Sequence, residues 1–183
     1  MVRRVRGVAV LAAVLGLAGR AAAGEAPKAG AAMPAPPPEA PSPAFDRLKT
    51  LAGEWEGTAA AHGQKAMPTR ATVKVVSAGS AVMLITDPGT PHEMVTMFHR
   101  DDDALVATHY CSAMNQPRMR AQPGTDPARI AFEFVDGTNL GAHPAHMQKL
   151  VLTSAAPDRH LQEWTFAQGD RTETMVFDMT RKR

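Results

Sequence analysis

The segment from residue 45 to residue 57 constrains the fold of this chain most strongly. Phe45, Leu48 and Leu51 recur at three-residue spacing, which places them on one face of about two helical turns. Because so short a helix is marginal in water, it needs a larger apolar surface to cover. Gly53 can end the helix in a left-handed conformation, and Trp55 then enters the first strand as a large core side chain. This order is typical of the start of a small β-barrel.

Strand-like runs separated by turn signals fill the rest of the chain. The predicted strands span residues 54–60, 71–76, 81–86, 93–99, 105–111, 118–122, 130–135, 147–153, 160–167 and 172–179. About ten strands at roughly 8–12-residue spacing, with no second helix of convincing length, predict an all-β antiparallel sandwich or barrel. The short connections favour an up-and-down β-barrel, because strands that follow one another in sequence can then pair.

Residues 1–23 have the pattern of a secretory signal peptide. Arg3, Arg4 and Arg6 precede an apolar run, and residues 21–23 are small alanines suited to cleavage. The apolar run is shorter than the roughly 20 residues that a membrane-spanning helix needs. We therefore expect an exported protein, periplasmic or secreted, without a membrane span.

Residues 24–44 hold seven prolines among alanines and glycines, and we predict a disordered linker because such a segment cannot bury enough apolar surface to order itself. Residues 45–183 remain for one barrel domain. The whole chain has a formal charge of +2, and removing residues 1–23 takes away four arginines and no acid, which leaves −2. This balance argues against nucleic acid as a partner, since a basic face is the footprint that nucleic-acid binding requires.

Alternation along the strands predicts which side chains face inward. Ile130, Phe132 and Phe134 share one face of their strand, and Gln162, Trp164 and Phe166 share a face of theirs. Leu150 and Leu152 share a face with His146 and Gln148. In the fifth strand, Leu105, Ala107, His109 and Cys111 compete with Val106, Thr108 and Tyr110 for the interior, and the pattern also allows both faces to be partly buried.

Polar side chains cluster around the end of this fifth strand, in an otherwise apolar region. We predict that a few placed donors here orient a hydrophobic ligand at the mouth of the barrel, and that Arg118 could pair with a carboxylate such as a fatty-acid head group. The predicted ligand-binding residues are His109, Tyr110, Asn115, Arg118, His146 and Trp164. In the alternative interpretation, residues 115–117 form a structured bend and the other polar groups satisfy the backbone.

Neither a catalytic residue nor a metal site is predicted. His109 and Cys111 lie two residues apart on one strand face, roughly 6–7 Å, which is too far for the direct hydrogen bond of a nucleophile–base pair. His143 and His146 fall short of the three or four ligands that zinc sites use. The many methionines could line an adaptable pocket for apolar ligands or could simply pack the core.

The motif Leu48-x-x-Leu51-x-Gly53-x-Trp55-x-Gly57, ahead of about ten meandering strands, resembles the start of calycin-superfamily barrels. Residues 108–111, 115–118 and 163–164 are similar to those of secreted bacterial lipocalin-like proteins of unassigned function. Nitrobindins and fatty-acid-binding proteins are more distant. The resemblance implies that residues 45–183 form a calycin-like β-barrel plugged by Gly53, Trp55 and Arg181, with the basic side chain stacked on the indole. No histidine aligns with the nitrobindin iron ligand, so haem is not supported and no cofactor is predicted.

These patterns predict a non-enzymatic carrier or sensor, a monomer or weak dimer, that binds a small hydrophobic molecule inside the barrel. A cell-envelope interaction or structural module is the first alternative, with the proline-rich segment as its spacer. A barrel enzyme that acts on its bound ligand is the second.

Overall fold

The computed structural model describes residues 40–183, so the predicted signal peptide and most of the predicted linker lie outside the described residues. One helix, α1 (Pro43–Thr50), precedes the strands. The ten strands that follow are β1 (Gly53–Ala61), β2 (Met67–Val76), β3 (Ala81–Thr86), β4 (Met94–Asp101), β5 (Ala104–Tyr110), β6 (Gln116–Ala121), β7 (Arg129–Thr138), β8 (His146–Ala156), β9 (Arg159–Gln168) and β10 (Arg171–Arg181).

The strands form a closed antiparallel barrel. Each strand pairs with its neighbours in sequence, and β1 closes the barrel against β10, from Trp55 opposite Arg181 to Ala61 opposite Met175. This confirms the predicted ten-stranded up-and-down barrel with a short helix at its start. A closed barrel leaves no sheet edge unpaired, so the hydrogen-bonding capacity of the backbone is satisfied all the way round.

Helix α1 begins at Pro43, two residues before the predicted start of the barrel domain, and proline suits the first turn because its missing N–H has no partner there anyway. Phe45 and Leu48 are buried and join the barrel core. Arg47 donates a 2.9 Å hydrogen bond to the Ser154 hydroxyl of β8. Within residues 40–183, no helix has the length and apolar character needed to cross a membrane.

The structure settles which face of β5 is inside. Leu105, Ala107 and His109 are buried, whereas Tyr110 is 49% exposed. The odd-numbered side chains of β5 therefore face the interior, which places His109 inside the barrel.

The prediction for the start of β8 is wrong. A register shift between Met147 and Lys149 marks a β-bulge, which inserts one extra residue and reverses the alternation. Met147 rather than His146 or Gln148 therefore shares the interior face with Leu150. Simple alternation could not predict this, because a bulge has no period-2 signature.

Gly57 lies in close contact with β10, where β1 closes the barrel. A Cβ atom at this position would lie 1.9 Å from the backbone carbonyl oxygen of Asp178 on β10. We expect Gly57→Ala to lower the free energy of unfolding by about 1–3 kcal/mol, because backbone atoms must shift to relieve the overlap. Urea unfolding measures the loss, with Gly141→Ala as the control, since a Cβ there meets no atom within 4 Å. Equal stability of the two variants would contradict the close approach of Gly57 to the backbone of β10.

Candidate ligand-binding site

A cavity of about 400 Å³ opens at the end of the barrel opposite Trp55, within the size range of small-molecule pockets. Strands β3, β4, β5, β8, β9 and β10 and the loop after β5 supply its walls. The lining residues are Thr86, Met94, His109, Cys111, Ser112, Ala113, Met147, Trp164, Phe166, Glu173, Met175 and Phe177. Methionine and aromatic side chains make most of this surface apolar.

His109 is the buried polar group of this cavity. Its side chain is 2% exposed, and its Nδ1 lies 2.8 Å from the hydroxyl oxygen of Thr96 on β4. Its Nε2 is buried and has no hydrogen-bond partner within residues 40–183. Burial lowers the pKa of His109 to about 4, so the imidazole is neutral at neutral pH.

The available hydrogen-bond partners indicate which nitrogen of the neutral His109 ring carries the proton. Within residues 40–183, the buried Thr96 hydroxyl has no second side-chain or backbone partner. If Nδ1 carried the proton, both the hydroxyl hydrogen and the Nε2 lone pair would lack a partner. If Thr96 instead donates to Nδ1, only one buried group is left unpaired, the Nε2–H. The second arrangement leaves fewer unpaired buried groups, each of which costs about 1–3 kcal/mol, and it makes Nε2–H a donor.

Trp164 forms the boundary between the cavity and the packed interior. Its ring centroid lies 4.9 Å from that of His109, and its Nε1–H donates to Gln162 Oε1 at 3.0 Å. Because the indole N–H can only donate, this bond fixes the Gln162 amide, whose Nε2–H then donates to His160 Nε2 at 3.0 Å. Inward-facing side chains of β9 thus form a polar row through the middle of the barrel.

The other end of the barrel is filled rather than hollow. Trp55 is 1% exposed, makes an edge-on contact with His160 at a centroid distance of 4.2 Å, and lies under the guanidinium of Arg181 at 4.3 Å. Arg181 also donates to the carbonyl oxygens of Thr50 and Ala52, 2.9 and 2.7 Å away. At Gly53 (φ +140°), a Cβ would lie 2.6 Å from Nη1 of Arg181. The three predicted plug residues therefore lie together.

Four of the six predicted ligand-binding residues lie outside the cavity lining, and only His109 and Trp164 lie within it. Tyr110 is exposed. Asn115 is buried, but its amide donates to the carbonyl oxygens of His143 and Ala145, both at 2.7 Å. Arg118 pairs with Asp136 at the surface, and His146 contacts the carbonyl of Pro144 and the ring of Phe134. The role of these four in ligand binding stays a prediction. The alternative of a structured bend at residues 115–117 is wrong for Gln116 and Pro117, which begin β6, although the side chain of Asn115 does satisfy two backbone carbonyls.

Sequence reasoning missed several residues of the site. Glu173 was missed although it lies two residues before Met175 on the same strand, and both residues line the cavity. Thr96 was missed because its role depends on the pairing of β4 with β5, which places it opposite His109. The alternation of β10 could have revealed Glu173.

Metal-binding chemistry finds no support in the described part of the chain, where no group of three or more His, Cys, Asp or Glu side chains could hold an ion. Cys111 has a free thiol, and burial raises its pKa. A thiol that resists deprotonation is a poor nucleophile.

Comparison with solved structures supports the fold. The chain is similar to the protein in the crystal structure of Rv2717c from M. tuberculosis, with 13% identity and a TM-score of 0.54, over 78% of this chain and 99% of that chain. It also matches a redesigned β-barrel, b11L5F_LGL (12% identity, TM-score 0.40, 75% of this chain and 96% of that chain), and EF1p2_mFAP2b bound to DFHBI (11%, 0.41, 75% and 98%).

No protein-family model matches this chain, and neither does the sequence of any curated protein. The likeness to Rv2717c is consistent with a calycin-like barrel fold, whereas membership of the calycin superfamily stays a prediction.

Proposed function

We propose that this protein binds a small hydrophobic molecule in the cavity at the open end of the barrel, and that the ligand accepts a hydrogen bond from His109 Nε2–H. The observation that carries the proposal is this buried donor, which has no partner within residues 40–183. Native proteins rarely retain such a group, because leaving it unpaired costs about 1–3 kcal/mol. Because Nε2 itself is buried, a ligand acceptor satisfies it after a small shift of the side chains around His109.

The walls of the cavity suit an apolar ligand of variable shape. Met94, Met147 and Met175 line it together with aromatic side chains. Methionine is flexible and polarizable, so it adapts to different apolar surfaces and contacts aromatic rings favourably. We propose binding rather than catalysis, because burial raises the pKa of the Cys111 thiol in the lining and so makes it a poor nucleophile. As part of the proposal, the protein acts outside the cytoplasm, which rests on the sequence of residues 1–23 alone.

Methoxynaphthyl ethanol tests the proposal as a neutral probe, since it combines an apolar ring system with a methoxy acceptor. We expect saturable 1:1 binding by isothermal titration calorimetry. Ala113→Trp should abolish it, because Ala113 lines the mouth on a loop that can carry a large side chain. Ala131→Trp, on the outward face of β7 beside buried Phe132, is the control and should bind normally. Equal binding by both variants would show that the probe binds elsewhere.

Removing the donor should weaken binding without destabilising the fold. We expect His109→Leu combined with Thr96→Val to reduce the affinity for methoxynaphthyl ethanol about two- to tenfold, the worth of one neutral hydrogen bond. Because both hydrogen-bond partners are replaced by apolar groups, the free energy of unfolding should be unchanged or higher. Calorimetry and urea unfolding measure the two effects. Unchanged affinity in this double variant would contradict the role of His109.

A further inference from the structure

Strand β10 places one carboxylate at the mouth of the cavity. Its interior face carries Glu173, Met175 and Phe177 in order from the mouth inward, and all three line the cavity. The Glu173 carboxylate accepts a 2.9 Å hydrogen bond from the amide of Gln64, in the turn after β1. This bond holds one carboxylate oxygen and leaves the group at the rim.

The lining of the cavity supplies no positive charge to balance this carboxylate. Among residues 40–183, Glu173 is the one charged residue that lines the cavity, and no lysine or arginine lines it. His109 contributes no charge at neutral pH, because burial keeps it unprotonated. An anionic head group would therefore meet a like charge at the mouth and no cation inside, so a fatty-acid carboxylate is a poor match for this cavity.

From this charge pattern we infer that the cavity selects hydrophobic amines, with the ammonium group beside Glu173 and the apolar body among the methionine and aromatic side chains. The inference rests on the proposed function and adds the ligand class to it. Phe166 lies directly opposite Glu173 on the neighbouring strand β9 and also lines the cavity. An ammonium group at this level would therefore meet a carboxylate and an aromatic ring together, and both attract cations.

Register also sets the spacing between the two polar contacts. Trp164, whose ring lies beside that of His109, pairs with Met175, and Glu173 lies two residues nearer the mouth on the same strand as Met175. Two residues along a strand span about 7 Å. The preferred ligand thus carries a hydrogen-bond acceptor at one end, for His109 Nε2–H, and an ammonium group at least about 7 Å from it.

Three probes that differ only in head group test this inference: methoxynaphthyl ethylamine, methoxynaphthyl ethanol and methoxynaphthyl acetic acid. At pH 7 and low salt, we expect the full barrel to bind the amine about fivefold more tightly than the alcohol, the advantage of one solvent-exposed ion pair. The acid should bind more weakly than the alcohol. The preference for the amine should shrink as salt rises, because the carboxylate is at the rim and exposed to screening ions.

Variants separate Glu173 from general charge effects. Glu173→Gln should make the amine and the alcohol bind equally, and Glu173→Lys should favour the acid. Glu163→Gln is the matched control, since Glu163 lies between the inward-facing Gln162 and Trp164 of β9 and so points outward. It removes the same charge and should leave the preference for the amine intact.

Each result has one meaning. If the alcohol binds but the amine gains nothing, or if the preference survives Glu173→Gln, the amine inference is overturned and the proposed function stands. If none of the three probes binds, the proposed function itself fails. A fivefold preference for the amine that Glu173→Gln abolishes and Glu163→Gln leaves unchanged supports both.

Discussion

Lowering the pH from 7 to 4.5 is expected to remove about 2 kcal/mol of folding stability through His109. Burial lowers the pKa of His109 from its ordinary 6.5 to about 4. Between these values the unfolded chain binds a proton that the folded chain excludes, so stability falls as the pH falls. The contribution is fully present above pH 6.5 and is lost as the pH approaches 4.

His160 should also lower the folding stability as the pH falls. Its pKa is also lowered to about 4, chiefly by burial and further by the positive charge of Arg181, while Asp178 opposes the shift. The charge of Arg181 acts on His160 alone, so salt should weaken the His160 part of the effect more than the His109 part.

Urea unfolding at intervals between pH 7 and pH 4.5 measures this dependence. The combined His109→Leu and Thr96→Val variant should show a shallower fall in stability than the natural chain, because it lacks one of the two buried histidines. His92→Asn removes an exposed histidine and serves as the control, with the dependence unchanged. A natural chain whose stability is level across this range would contradict the burial of both imidazoles.

Trp55→Ala is expected to lower the free energy of unfolding by about 3–5 kcal/mol, the usual cost of truncating a buried tryptophan. Trp55 is 1% exposed, its Nε1–H donates to the Leu51 carbonyl at 2.8 Å, and its ring lies between His160 and Arg181. The cavity at the filled end of the barrel has a volume of only about 10 Å³. Truncating Trp55 would therefore open a new cavity rather than enlarge an existing one.

Phe166→Ala provides the comparison at the hollow end. Phe166 is only partly buried and borders the existing cavity, so we expect its truncation to cost less than that of Trp55, about 1–2 kcal/mol. Trp55→Phe should fall between the two and keeps the test usable if Trp55→Ala does not fold. Equal costs for Trp55→Ala and Phe166→Ala in urea unfolding would contradict the distinction between a filled end and a hollow end.

The fold was predictable because its signals are local. Turn residues and period-2 alternation mark ten strands, and the spacing of Phe45, Leu48 and Leu51 marks the helix. The face of β5 was not predictable, because small and apolar residues alternate with others of similar character on both sides. The bulge in β8 was missed for a related reason, since one inserted residue changes the pairing without changing the composition.

The candidate site was predictable only in part. His109 stood out as a polar residue near the end of the fifth strand and Trp164 as an aromatic residue in the ninth, and both line the cavity. Arg118 and Asn115 stood out equally, yet their partners Asp136, His143 and Ala145 lie on distant segments that sequence could not place nearby. The sequence shows which residues are polar. The pairing of strands determines whether a polar side chain has a hydrogen-bond partner within the protein or remains available to a ligand.

The imidazole of His109 offers the most direct test of a cavity that binds ligand through a buried donor. Long-range proton–nitrogen NMR at pH 7 reports which ring nitrogen carries the proton, and methoxynaphthyl ethanol is then added to saturation. The account predicts protonated Nε2, unprotonated Nδ1, and an Nε2 resonance that moves as the probe binds. A proton on Nδ1, or an Nε2 resonance that stays fixed at saturation, would contradict it.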